Sequence, residues 1–392
     1  MTLVDLRGRA AVAGIGELKP TRYANGKTVP HLILEVAREA MLDAKMRPAD
    51  IDGLLVAPPL LGAPVTFASM MAEYLGLQPH YLDIVDTGGA SAASQFIRAA
   101  AAINAGICSA VLCVTADAID PDSFYTRGAV VMGLPGAEFE RPYGPMGANS
   151  GYALVAQRHM YEFGTTSEQL AKVAVDQRTN ACANPMAIFH GKPISIEDVL
   201  NSPLVVDPLH LLEIVMPCTG AAAFIVTTPE RARESGHPNV LLFGAGESCT
   251  HASITYRVPM TTSPIKESAA RAFEMARVSP RDIDLVSVYD CYTITVVITL
   301  EDAGFCEKGK GGPFVWEHDL TYRGDLPVNT HGGQLSFGQP GLAGGASHII
   351  EAVRQLRGEA GERQVANCEL AFVNGNGGIL SEQASLVLGR EA

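Results

Sequence analysis

Basic charge is scarce in this chain: 29 Lys and Arg stand against 42 Asp and Glu, a net charge of −13 over 392 residues. A surface of that sign excludes nonspecific binding to nucleic acid or to an anionic membrane, since both need a basic face. Any anionic ligand has to find a local basic patch. Long apolar runs are missing too, with none near the roughly 18 residues that a membrane span requires. The opening MTLVDLRGRAAVAGIGE lacks a basic stretch followed by an apolar core and a cleavage site. A soluble, cytoplasmic protein is the expectation. Of the eight Cys, none forms a CxxC pair, so reduced, buried thiols are expected rather than a disulfide framework. Cys108 and Cys113 flank the apolar SAVL with no His nearby, and no metal is assigned there. What is abundant is apolar side chain (47%) and glycine (39 residues), the composition of a packed globular chain with many tight turns.

The chain repeats itself. ILEVAREAMLDAKMRPADIDGLLV returns as IKESAARAFEMARVSPRDIDLVSV at an offset of 232 residues, with Glu35 on Glu267, Ala40 on Ala272, Pro48 on Pro280 and Asp50-Ile51-Asp52 on Asp282-Ile283-Asp284. Each copy predicts an Ala-rich helix, about 33–46 and 265–278, stopped by a Pro turn and followed by a short apolar strand. A Gly-rich turn opening a second helix also occurs twice, in TGGASAASQFIRAAAAINAG and GGASHIIEAVRQLRG, each leading to another apolar strand. Alternating helices and continuous apolar strands predict an α/β fold with sheets covered by helices on both faces. The halves are expected at 1–235 and 236–392, with an insertion of loops and helices on the first half over about 118–205, where PDSFYTRG and RPYGPMGANSGYALVAQRHMYEFG break the pattern.

The stretches EQLAKVAVDQRTNACANP, SIEDVLNSPLVVDPLHLLE, YDCYTITVVITLEDAGFCEKGKGGPFV and LPVNTHGGQLSFGQPG, with NGNGG near the end, resemble the thiolase superfamily across nearly the whole chain. They are closest to its sterol-carrier-type and lipid-transfer-protein branch. The resemblance implies two pseudo-twofold βαβαβαββ halves stacked in five layers, α/β/α/β/α. A degradative thiolase uses a nucleophilic Cys on a helix N-terminus, an oxyanion site, a His in a Gly-His-Pro turn and a second, proton-shuttling Cys. At the matching positions this chain has Gly89, then Tyr289-Asp290-Cys291-Tyr292, Gly338-Gln339-Pro340, and Val373 or Asn374. An acyl-cysteine cannot form at a glycine.

Members of that branch without the Cys resemble aldolases of bacterial steroid side-chain degradation, which split a β-hydroxyacyl-CoA by a retro-aldol reaction into a ketone and a short acyl-CoA. That chemistry needs a base, donors for a thioester enolate and an acid, but no covalent nucleophile and no cofactor. The resemblance therefore places acid/base work on Tyr289 and His331, with Asp290 orienting a partner and Gln339 as a donor. Gly88, Gly89, Gly332 and Gly377 would allow close approach to the thioester oxygen, and Arg178 and Lys192 in the insertion would meet CoA phosphates. Bland alternatives stand beside these. Tyr289 fits an interface Tyr, His331 a turn His bonded to backbone, Asp290 a cap for a helix beginning near Thr293, Cys218 and Cys291 packed core, and Arg178 and Lys192 solvated charge. A noncatalytic acyl-CoA or sterol-binding subunit, or an acyltransferase using Ser91, would also suit the missing groups. The family further implies a homodimer and a small partner with a zinc ribbon and an OB-fold, in an α2β2 complex.

Overall fold

A computed structural model describes residues 5–60, 62–120, 140–144 and 147–391. The stretch PDSFYTRG, singled out above, lies outside the described residues.

The first half runs β1 (Ala11–Glu17), α1 (Val29–Asp43), β2 (Gly53–Val56), α2 (Phe67–Leu75), β3 (Tyr81–Ile84), α3 (Ser91–Asn104) and β4 (Ala110–Asp117). It then passes through the inserted helices α4 (Ala148–Phe163) and α5 (Ser167–Cys182) and the hairpin β5 (Leu204–Val206) and β6 (Leu209–His210) before β7 (Gly220–Thr227). The second half repeats the order: β8 (Val240–Cys249), α6 (Ile265–Ala276), β9 (Leu285–Val288), α7 (Thr293–Asp302), α8 (Gly344–Arg357), β10 (Leu370–Gly377) and β11 (Glu382–Arg390). The strands line up as β3-β2-β4-β7-β1-β8-β11-β10-β9. Each half thus has the same order read outward from its first strand, and the halves join where Ala11 and Val12 pair antiparallel with Leu241 and Val240.

The repeat is physical as well as textual. A Cβ at Gly14 or Gly16 would strike the Ala40 or Val36 carbonyl of α1; one at Gly244 or Gly246 would strike the Ala272 or Ser268 carbonyl of α6. Glycine pairs on β1 and β8 therefore let the outer helix lie directly on the strand, at matching places in both copies. One copy has shrunk: the partner expected for β3 is a single bridge between Val286 and Val328, where Pro327 and the positive φ of Asn329 interrupt the strand.

Three apolar clusters define five layers. Buried faces of α1 and α2 cover one side of the first half's strands, while α6 and α7 cover the outer side of the second half's. Between the strands of the two halves lie α3 and α8, whose Phe96, Ala99, Ile349, Ile350 and Val353 are fully buried. The insertion was expected on the first half, but Tyr152, Val155, Leu170 and Val173 join the second half's cluster. Their apolar faces need a surface to cover, and the loops after β9 supply it. A reciprocal cap starts α5: Thr166 Oγ accepts from the Gln169 amide (3.4 Å) and Gln169 Oε1 from the Thr166 amide (3.0 Å).

Candidate active site

Where β3 feeds α3, Gly88 sits at φ 58°, a conformation that favours glycine. Ser91 holds this turn closed, its Oγ donating to the Gly88 carbonyl (2.6 Å) and accepting from the Thr87 amide (3.0 Å). Its hydroxyl is spent on the loop. At Gly89 an added Cβ would collide with the ring of Tyr289 and the carbonyl of Asn376. The room a nucleophilic side chain would occupy is filled by a tyrosine ring. Gly377 packs as closely, since its Cβ would strike the Thr87 carbonyl, and Gly345 near the start of α8 abuts the Gly89 carbonyl. The two central helices therefore begin side by side, and their positive ends lie close together.

Tyr289 follows directly on β9 and is 5% exposed. Its hydroxyl oxygen accepts from Gln339 Nε2 at 3.0 Å, leaving the phenolic proton free to be donated. Burial pushes its pKa well above the ordinary 10, with Cys291, Asp290 and Asp117 adding to the rise and the Gln339 bond opposing it. Catalysis by this side chain as a base would need a lowered pKa, and the site does the reverse; it holds a neutral proton donor.

Asp290 is fully buried. It does not cap the helix at Thr293. Its carboxylate accepts from the amides of Gln334 (2.7 Å) and Leu335 (3.1 Å), closing the start of the short helix Gly333–Ser336, and lies 3.4 Å from His348 Nε2. Burial raises its pKa, against His348 and the two amides.

His331 is 1% exposed, and neither ring nitrogen has a hydrogen-bond partner among the described residues. The expectation of a turn histidine whose ring is bonded to backbone fails among the described residues, and the bond the residue does make is at its carbonyl, which accepts from Asn184 Nδ2 at 2.9 Å. The ring lies edge-on to His348 (5.0 Å) and beside Phe337 (5.3 Å). Burial drives its pKa well below the usual 6.5, with the neighbouring His348 acting the same way. Polar atoms of Gln177 and Gln334 Oε1 nearby are likewise buried without partners among the described residues.

Gly332 is a packing glycine: φ is 112°, a Cβ would press on Ala181 of α5, and its amide is taken by the Asn329 carbonyl (2.8 Å). An oxyanion role for that amide is excluded in this conformation. Arg178 is also corrected. It is 5% exposed, with Nε on Ser336 Oγ (2.9 Å), Nη1 on the Lys192 carbonyl (3.1 Å) and its guanidinium over the Phe189 ring. α5 faces the glycine loop rather than solvent, so Arg178 staples that loop to the insertion. Lys192 stays exposed.

Several site residues escaped the sequence reading. His348 on α8 bonds Ser287 Oγ (3.0 Å) and lies 6.2 Å, centroid to centroid, from Tyr289. Asn376 ties Tyr152 to the loop, donating to its hydroxyl (2.8 Å) while accepting from Gln383 Nε2 (2.7 Å). Asn376, rather than Val373 or Asn374, faces Gly89. Asp117, ending β4, accepts from the amides of Leu60 (2.9 Å) and Leu342 (3.1 Å), and burial raises its pKa to about 7. One signal was readable: polar residues ending or interrupting otherwise apolar strands in VTAD and VNGNGG. Cys291 and Cys218 are buried as expected, and burial lifts the Cys291 thiol to about 12, which leaves it inert as a nucleophile.

Comparison with known proteins agrees with this geometry. Residues 246–390 match the family described as Thiolase C-terminal domain-like. An acetyl-CoA acetyltransferase of Methanothermobacter thermautotrophicus is 35% identical, over 88% of this chain and 91% of its own. A steroid side-chain-cleaving aldolase of Thermomonospora curvata is 33% identical, over 90% and 91%. The solved structure of an Ltp2-ChsH2(DUF35) aldolase superposes with a TM-score of 0.88 at 31% identity, covering 98% of both chains. With glycine at the nucleophile position and a tyrosine ring in the space that position leaves, the chain belongs to the thiolase superfamily as an aldolase-like member.

Proposed function

We propose that this protein is an aldolase that cleaves a β-hydroxyacyl-CoA, of steroid type, by a retro-aldol reaction into a ketone and a short acyl-CoA. The observation that carries the reading is the fit of the Tyr289 ring against Gly89, which leaves no room for a nucleophile where the acyltransferases keep theirs. Aldolase relatives aligned over nine-tenths of the chain support it.

In this reading His331 is the base, because it is neutral and both ring nitrogens lack partners among the described residues. It takes the β-hydroxyl proton. The Cα–Cβ bond breaks as the ketone forms, and its electrons become the thioester enolate. The adjacent N-termini of α3 and α8 stabilise that charge. Tyr289, polarised by Gln339, gives the enolate carbon its proton, and the proton on His331 then passes back to Tyr289. Asp290 and Arg178 are positioning residues: they fix the loop that carries His331 and Gln339. Exposed Lys192 meets the CoA phosphates.

The halves 1–235 and 236–392 fold as two units of one cytoplasmic enzyme. β3 ends the sheet with Leu82 and Ile84 partly exposed, an edge suited to pairing in a homodimer. A small zinc-ribbon and OB-fold partner of the DUF35 kind completes an α2β2 complex, by analogy with the two-component aldolase structure. Among the described residues no helix is long and apolar enough to cross a membrane.

The test is to supply a β-hydroxyacyl-CoA to the chain, alone and with its partner, and to measure ketone and short acyl-CoA. Tyr289→Phe should lower kcat about 100-fold or more with folding intact. Thiolysis of acetoacetyl-CoA by the wild type, or an unchanged rate in the variant, would overturn the reading.

A further inference from the structure

Arg257 lies in the loop between β8 and α6, where the charge of Asp302 supports it only electrostatically, without a hydrogen bond. It is 6% exposed, yet Nε, Nη1 and Nη2 all lack a hydrogen-bond partner among the described residues. Its neighbours in the same loop, Tyr256 and Val258, face outward, so the chain turns the guanidinium in while exposing two apolar side chains. Burial pulls its pKa down to about 10. The acid that acts on it electrostatically, Asp302, is already engaged. Asp302 takes the Ser263 amide (2.6 Å) and hydroxyl (2.9 Å) and pairs with Lys308 (3.0 Å). A buried guanidinium with no acceptor costs folding energy, so its retention calls for a ligand.

Its place indicates which ligand. Arg257 interacts electrostatically with Tyr152. The Tyr152 ring stacks on Tyr292 at 4.3 Å, its hydroxyl donates to the Gly378 carbonyl (2.9 Å), and it accepts from Asn376 Nδ2 (2.8 Å). Asn376 in turn lies against Gly89. Tyr152, which Arg257 feels electrostatically, is thus hydrogen-bonded to a residue beside the loop where the thioester is placed, whereas the pantetheine arm holds the CoA phosphates far from the reacting carbon. A guanidinium fork matches a carboxylate bidentately.

We propose that Arg257 binds a carboxylate carried on the acyl part of the substrate, so that the preferred substrate is an acyl-CoA with a second, free acid group. This rests on the aldolase reading for the reaction, but not for the binding.

The test uses the full chain with its partner and a matched pair of β-hydroxyacyl-CoA substrates, one ending in a carboxylate and one in a methyl. The wild type should favour the carboxylate about 100-fold in kcat/KM. In Arg257→Met that ratio should collapse to within about threefold, with Arg257→Lys in between. Equal use by the wild type, or a preference that survives in Arg257→Met, overturns the proposal. A second arm needs no catalysis: melting with the dicarboxylic acyl-CoA, CoA alone or inorganic phosphate. Protection by the dicarboxylic thioester that requires Arg257, beyond that from CoA alone, supports the site even if nothing is cleaved, in which case only the aldolase reading fails. Arg257-dependent protection by CoA or phosphate alone would assign the guanidinium to phosphate and sink the acyl-side claim. Unliganded Arg257→Met should melt at or above the wild-type temperature. A melt lower by several degrees would mark the residue as structural and overturn the proposal as well.

Discussion

The same four residues open both central helices, Gly88-Gly89-Ala90-Ser91 for α3 and Gly344-Gly345-Ala346-Ser347 for α8, and the two copies do different work. In the first, Gly88 takes a left-handed turn at φ 58°, Ser91 locks that turn, and Gly89 is a floor under the Tyr289 ring. In the second, Gly344 is already helical at φ −56°, and the helix goes on to place His348 between Tyr289 and His331. The asymmetry extends beyond the helices: Tyr289, Asp290, His331, Gln339 and His348 all belong to the second copy. A duplicated fold here keeps one GGAS turn as backbone scaffold and, Asp117 excepted, draws the titratable side chains of the candidate site from the other half. The outer helices show the opposite behaviour, since the glycine contacts of β1 with α1 and of β8 with α6 are the same in kind.

The sharpest way to break this contrast is at position 89. Gly89→Ala puts a methyl into the Tyr289 ring, so kcat should fall by more than 100-fold as the donor is displaced, and stability should drop by about 2 kcal/mol. Steady-state kinetics beside a denaturant titration would show this; a variant with near-normal kcat would mean that Tyr289 does not need its present place. His331→Leu should cost about 100-fold in rate yet melt no lower than wild type, because it removes two unpartnered buried nitrogens. With His331 neutral to well below pH 6.5 and Tyr289 protonated to above 10, kcat/KM should be flat between those limits. A bell centred near neutrality would count against that assignment of acid and base.

Smaller effects separate the two GGAS turns themselves. Gly88→Ala forces a side chain into the left-handed region and should cost about 1 kcal/mol more than Gly344→Ala, whose methyl meets only the end of the Gln334 side chain. Equal costs would erase the distinction. Asp117, beneath the Gly341 turn, supplies a pH test. Its folded pKa of about 7 lies above the 3.8 of the free carboxyl, so the folded state binds more protons and stability falls as pH rises through that window. The contribution is complete below pH 3.8 and gone above about 7. Asp117→Asn should flatten melting temperature against pH over that range, and an unchanged slope would show that another group titrates there.

Much of the architecture could be read from the chain alone. The helix–turn–strand repeat places α1 and α6, the Gly-rich turns place α3 and α8, and a helix beginning at Thr293 is observed at that residue. These are local matters: period, capping and turn chemistry lie within a few residues of one another. Glycine at 89 was legible too, and with it the loss of the nucleophile.

Other features depend on partners distant in sequence. That Asp290 holds the amides of Gln334 and Leu335 rather than the helix beside it, that Gln339 bonds Tyr289, and that Arg178 turns inward to Ser336 follow from contacts 44, 45, 50 and 158 residues apart. The chain by itself determined the repeated α/β frame and which reactive side chain is missing, because both are written in residue identity and short-range spacing. Tertiary structure alone decided that a tyrosine ring fills the gap, that His331 and Arg257 are buried without partners among the described residues, and that the insertion covers the second half. Burial and dielectric are properties of the packed whole, and they set which protons these groups hold.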